Sequence, residues 1–154
     1  PSQPTIGPDI HDEEVNLDAL QELMQEPVSS LELPDPKTVS ANATIEAAVF
    51  KMQQMNLGCL LVIEEDGTLA GIFAQGDIFS QVAGKDVDLS TTTVGSMMTP
   101  NPTSLKRSAP IGHVLHLMAA HGFRHLPIVD GKGRPVKVAN FKSLLQSVGS
   151  LLDS

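Results

Sequence analysis

A chain of 154 residues has room for one compact domain or for two small units sharing a core, and its 41% apolar content suffices to build one. Five Phe and no Trp or Tyr are too few rings for a single-stranded nucleic-acid platform, and a net charge of −8 opposes duplex DNA, whose binding rests on neutralised phosphates. One cysteine excludes an internal disulfide, no apolar stretch nears the roughly 20 residues that span a bilayer, and residues 1–14 are too polar and acidic for a secretory signal, so neither a nucleic-acid nor a membrane partner is expected and the cytoplasm is the expected compartment.

Charge is distributed unevenly. Residues 1–36 hold nine acids and no Lys or Arg, residues 37–93 hold seven acids against three bases, and residues 94–154 hold two acids against seven bases. The acidic start is expected to be an arm, residues 1–27. Its first 14 residues lack periodicity and are expected to be mobile, while Leu17, Leu20, Leu23 and Met24 form the apolar face of a short helix. Opposite charge predicts docking of this arm near the basic last third, where it competes with an anionic ligand for Lys106, Arg107 or Arg124. The plainer alternative is a solubilising tail.

Beyond the arm, Ile45, Ala48, Val49 and Met52 recur at helical spacing, with Asn42 or Thr44 placed to cap the helix by accepting an early backbone N–H. Cys59–Ile63 forms an apolar strand run, Asp66-Gly67 is a hairpin turn signature, and Leu69–Phe73 forms a second strand. A second helix is expected from near Asp77, through Ile78, Phe79 and Val82, to Gly84. The basic third repeats this order: a helix from about Ala109 to Ala120, a strand His125–Val129, a turn Gly131–Gly133, a strand Val136–Ala139, and a helix from about Asn140 to Val148.

The two copies superpose without a gap at a shift of 66 residues, with ten identities between 28–83 and 94–149, among them Val28/Val94, Pro34/Pro100, Ile45/Ile111, Met52/Met118, Leu60/Leu126 and Gly67/Gly133. Two copies are too few for a solenoid and each is too small to bury a core alone. The expected fold is therefore mixed α/β (α+β): repeats 28–93 and 94–154 packed as a pseudo-twofold pair behind a short N-terminal helix. Their helix faces, Ile45, Val49, Met52 and Ile111, Leu115, Met118, are more apolar than one small core needs.

The segment Val94-Gly-Ser-Met-Met-Thr-Pro100-Asn-Pro102 resembles the V-x-x-x-M-T-x-x-P entry of a second CBS repeat. His125-Leu-Pro-Ile-Val-Asp130 is similar to the central L-P-V-V-D strand of that family, and Gly71-Ile-Phe-Ala74-Gln-Gly-Asp77 to its G-h-h-T/S-x-x-D segment. The likeness extends over about residues 28–149 and identifies the chain as resembling a CBS-domain pair, or Bateman module. It implies a regulatory module whose ligand is an adenine nucleotide (AMP, ADP or ATP) or S-adenosylmethionine, held between repeats. In the family pattern the Asp accepts the ribose hydroxyls and the Thr or Ser, with the helix N-terminus, holds phosphate.

Carried over residue by residue, the resemblance places Asp77 on the ribose and Ala74 at the hydroxyl position, which here lacks its hydroxyl. Backbone around Thr38, Val39, Cys59, Leu60 and Leu61 is expected along the adenine, while Arg124 and His125, at the mouth of the second copy's strand, are expected to face phosphate. The second copy departs further, with Lys137 for Gly, Asn140 for the hydroxyl and Ser143 for the Asp. Each position also has a plainer role. Asp77 suits a helix N-terminus, Arg124 a solvated surface, His125 a strand end, and Cys59 a buried strand. His113, His116, His121 and His125 lack a completing ligand for a metal, and no nucleophile elbow, P-loop or Gly-rich dinucleotide motif points to an enzyme. The family also implies a homodimer built on the helix faces and a target protein of unknown identity. The alternative to nucleotide sensing is a ligand-free dimeric scaffold.

Overall fold

The structure is a computed structural model and describes residues 17–82 and 85–153. The first repeat runs β1 (Thr38–Ser40), α2 (Ile45–Met55), β2 (Cys59–Ile63), β3 (Leu69–Ala74) and α3 (Gln75–Val82), after an N-terminal helix α1 (Leu17–Gln25) and a 3-10 turn Val28–Ser30. The second opens with the short helix α4 (Val94–Met97) and β4 (Thr99–Pro100), then continues with β5 (Leu105–Lys106), α5 (Ile111–His121), β6 (His125–Val129), β7 (Pro135–Asn140) and α6 (Phe141–Asp153). The offset of 66 survives in three dimensions: α2 and α5, β2 and β6, and β3 and β7 share their bounds at that shift.

Local chemistry sets the boundaries. Of the two candidate caps for α2, Thr44 serves, its Oγ1 accepting from the Ala47 amide at 3.1 Å. The helix ends on Asn56 at φ 53°, and its counterpart α5 ends on Gly122 at φ 67°, the left-handed stop that frees the last carbonyls for capping. Gly67 and Gly133, at φ 87° and 82°, turn the two hairpins. Helix α3 starts at Gln75, which puts Asp77 in its first turn, and the expected stop at Gly84 lies outside the described residues. Helix α6 runs past Val148 to Asp153 because Leu152 still packs against the second core.

Two sheets result, ordered β1-β2-β3-β4 and β5-β6-β7. In each, the first two strands are parallel and the hairpin is antiparallel. The repeats exchange their opening segments. Val94 is fully buried with Ile45, Ala48, Met52, Leu60, Val62 and Phe73 of the first repeat, whereas Val28, Leu31 and Leu33 are buried with Ile111, Val114, Met118, Leu126 and Leu144 of the second. Backbone bonds repeat the exchange on both sides of the pseudo-twofold. The Val94 amide donates to Ala43 O at 2.8 Å and the Val28 amide to Ala109 O at 2.7 Å, while Ile45 donates to Thr92 O and Ile111 to Glu26 O, both at 2.9 Å. A buried valine is worth about 1.5–3 kcal/mol, so neither core is complete without the other repeat's entry segment.

One sequence expectation changes here. Ile45, Met52, Ile111 and Met118, read as a surplus apolar face for dimerisation, are at most 4% exposed and belong to the cores, with Val49 and Leu115 partly buried against them. The surplus was only apparent, because each helix packs against both its own sheet and the exchanged segment. The outward apolar residues are instead Phe50, Met55, Phe79, Phe141 and Leu145. Helix α1 lies against α5 and seats Leu23 and Met24 on the second core, leaving Leu17 exposed, and Gly112 permits the approach because a Cβ there would stand 3.2 Å from both Met24 Cβ and Met24 O. Residues 1–14 lie outside the described residues.

Candidate functional site

A cleft of about 700 Å³ opens between the repeats. Its first wall is the end of β3 and the start of α3, with Ile72, Ala74, Gln75, Gly76 and Asp77. Its second is β4 and the loop behind it, through Thr103, and its third is the entry to β6, with Phe123, Arg124 and His125. The volume lies within the range for small-molecule sites, roughly 300–1,000 Å³.

Asp77 is partly buried and anchors the first two walls. Its Oδ2 accepts from the Ala74 amide at 3.0 Å, and its Oδ1 accepts from the Thr99 hydroxyl at 3.3 Å. A carboxylate offers about four lone-pair sites, so these two bonds leave Asp77 acceptor capacity at the cleft wall. The Gln75 amide is already engaged, donating to Gly58 O at 3.0 Å. Across the cleft, Arg124 is exposed and His125 is half-buried. Burial, and then the charge of Arg124, lowers the pKa of His125 below the ordinary 6.5, which favours a neutral imidazole.

The structure thus brings together Asp77, Ala74, Arg124 and His125, which the sequence had assigned to different copies. Thr38, Val39, Cys59, Leu60 and Leu61 lie outside the lining of this cleft. Strand β2 is central in its sheet, with β1 on one side and β3 on the other, so its backbone groups are largely engaged by the ladders. Leu60 and Leu61 are at most 1% exposed, and burial pushes the Cys59 thiol up to about 11, which leaves it protonated and unreactive near neutral pH. Sequence reasoning missed Thr99, Thr103 and Phe123. Thr99 was within reach as the Thr of the quoted Met-Thr-Pro entry, whereas Phe123 carries no local signal and enters only through the fold.

The pseudo-twofold counterpart of this site is built differently. Where Gly71 stands in the first repeat, Lys137 stands in the second, and its Nζ pairs with Asp35 Oδ1 at 2.6 Å, holding the Asp35 carboxyl below its usual range. Ser143, counterpart of Asp77, spends both its amide and its hydroxyl on Asn140 Oδ1, at 2.8 and 2.6 Å. Other concavities offer less: a 410 Å³ hollow carries Glu64, Glu65 and Asp66, which repel anions, and a 550 Å³ groove between α2 and α3 is mostly apolar. Among the described residues no group of three or more His, Cys, Asp or Glu is placed to hold a metal, and no helix is long and apolar enough to cross a membrane.

The sequence matches the CBS domain family over residues 20–84 and 94–150. It is 35% identical over 127 residues to the CBS domain-containing protein CBSCBSPB1 of Arabidopsis thaliana, covering 80% of this chain and 23% of that protein. It is 28% identical over 121 residues to an uncharacterised 17.7 kDa protein of Acidianus ambivalens, covering 79% of this chain and 72% of that one. The chain thus spans less than a quarter of the first of these relatives and nearly three quarters of the second. Among solved structures, CBSX2 in complex with AMP superposes with a TM-score of 0.72 at 19% identity, over 82% of this chain and 98% of CBSX2, a likeness of fold.

Proposed function

The chain belongs to the CBS domain family as a tandem pair, and on that premise we propose that it is a regulatory, non-catalytic module that binds an adenine nucleotide in the cleft between its repeats. Asp77 takes the ribose hydroxyls, and Arg124 with His125 faces the phosphate. One observation carries this reading: Asp77 of the first repeat and Arg124 of the second both line a single cleft of about 700 Å³. A ligand that spans it ties the repeats together, and that differential contact is what a regulatory ligand needs to bias their relative arrangement. A structural relative in complex with AMP supports the ligand class.

The outward apolar residues Phe50, Phe79, Phe141 and Leu145 support a homodimer through the helical faces, in place of the core residues first considered. The regulated partner is a target protein, and the proposed compartment is the cytoplasm. A scaffold without ligand is the second reading, favoured by Ala74 in place of the family's hydroxyl and by the altered second site. Thermal unfolding with AMP, ADP, ATP and S-adenosylmethionine separates the two. A ligand at a hundred times its Kd adds about 2.7 kcal/mol of stability, and no shift with any of the four leaves the scaffold.

A further inference from the structure

We infer that the cleft selects a nucleoside monophosphate over the di- and triphosphates, with Arg124 as the residue that sets this preference; the inference rests on the nucleotide reading above. The charges around the cleft carry it. Among the described residues that line it, Arg124 is the one permanent cation, facing Asp77, and the polar remainder, Thr99, Asn101 and Thr103, is uncharged. Burial and the neighbouring guanidinium lower the pKa of His125 and so oppose a second positive charge there. At the entrance of α3 the Ala74 amide is engaged by Asp77 and the Gln75 amide by Gly58, which withdraws two donors from a phosphate chain.

One guanidinium matches one phosphate in bidentate geometry. Each further phosphate adds negative charge for which the described lining holds no second permanent cation, beside Asp77 and within a chain of net charge −8. The preference is therefore imposed by unpaired charge rather than by size, since a cleft of this volume accommodates the longer nucleotides as well.

The test is calorimetric titration of the full chain with adenosine, AMP, ADP, ATP and S-adenosylmethionine in magnesium-free buffer, repeated on Arg124→Ala and Asp77→Ala. The expected result is AMP binding at least tenfold tighter than ATP, a loss of about tenfold for AMP in Arg124→Ala, and unchanged adenosine affinity in that variant. Arg124 is exposed, so its truncation leaves the fold intact. ADP, ATP or S-adenosylmethionine binding as tightly as AMP, with Asp77→Ala still weakening it, overturns the selectivity and leaves the nucleotide cleft standing. Failure of all five ligands to bind overturns the nucleotide reading itself, and the selectivity with it.

Discussion

Lys137 and Asp35 pair at 2.6 Å, and their pseudo-twofold counterparts in the first site are Gly71, which carries no side chain, and Asn101, which lines the candidate cleft. Internal duplication has therefore produced one site whose carboxylate keeps acceptor capacity for a ligand and a second whose polar groups are satisfied among themselves. The expected stoichiometry is one nucleotide per chain. Calorimetry on the wild-type chain checks this, and two equivalent sites per chain would show that the self-paired groups of the second site still admit a ligand.

Asp77 has two duties, and two substitutions tell them apart. Asp77→Ala removes the acceptor for Ala74 and Thr99 as well as the ribose contact, and should weaken nucleotide binding by about 1.5–3 kcal/mol, the range for hydrogen bonds to a charged group. Asp77→Asn keeps an oxygen for the Ala74 amide, so its fold stability should stay nearer wild type while affinity still falls. Equal affinity in all three proteins would remove Asp77 from the site.

Much of the fold was legible because duplication doubles the signal. Cys59–Ile63 and His125–Val129 fall on the expected bounds, since each apolar run is followed by a turn glycine in both copies. The exchange of Val28 and Val94 between cores was not legible, because a valine at an entry segment says nothing about which sheet it will meet. The same ignorance of tertiary partners made Ile45, Met52, Ile111 and Met118 look like a free face. Of the candidate cleft's lining, Asp77 came from a quoted segment and Arg124 from its place at the mouth of the second copy's strand. Their meeting in one cleft was not legible, because it depends on how the two repeats are docked.

His125 predicts a pH effect on stability. Its folded-state pKa is lowered by burial and by Arg124, so the unfolded chain binds this proton more readily than the folded one. The stability this contributes is complete above the ordinary value of 6.5 and is lost as pH falls through the lower folded-state value. The Tm of wild type should fall on going from about pH 7.5 to about 5.5, either side of the ordinary histidine value, and His125→Gln should show a shallower fall. A steeper fall in the variant would put the burdened group elsewhere.

Gly71 predicts a stability defect that also reaches the site. A Cβ at this position would lie 2.5 Å from Met98 Sδ and 2.7 Å from Thr99 O, closer than van der Waals contact allows. The methionine can swing away, but Thr99 O belongs to the backbone of β4, which pairs with β3 at this residue. Gly71→Ala should therefore push β4 outward and cost about 1–3 kcal/mol, the range for overpacking a close contact. Because the Thr99 hydroxyl bonds Asp77, the same shift should loosen the cleft and lower nucleotide affinity. Gly149→Ala supplies the opposite sign. Gly149 sits inside α6, and a Cβ there would meet nothing within 4 Å, so alanine should stabilise by about 0.8–1.0 kcal/mol through helix propensity alone, with affinity unchanged. Urea unfolding of both variants reads the two effects on one scale. A wild-type midpoint for Gly71→Ala would mean that β4 yields freely and that the clash does not position Thr99.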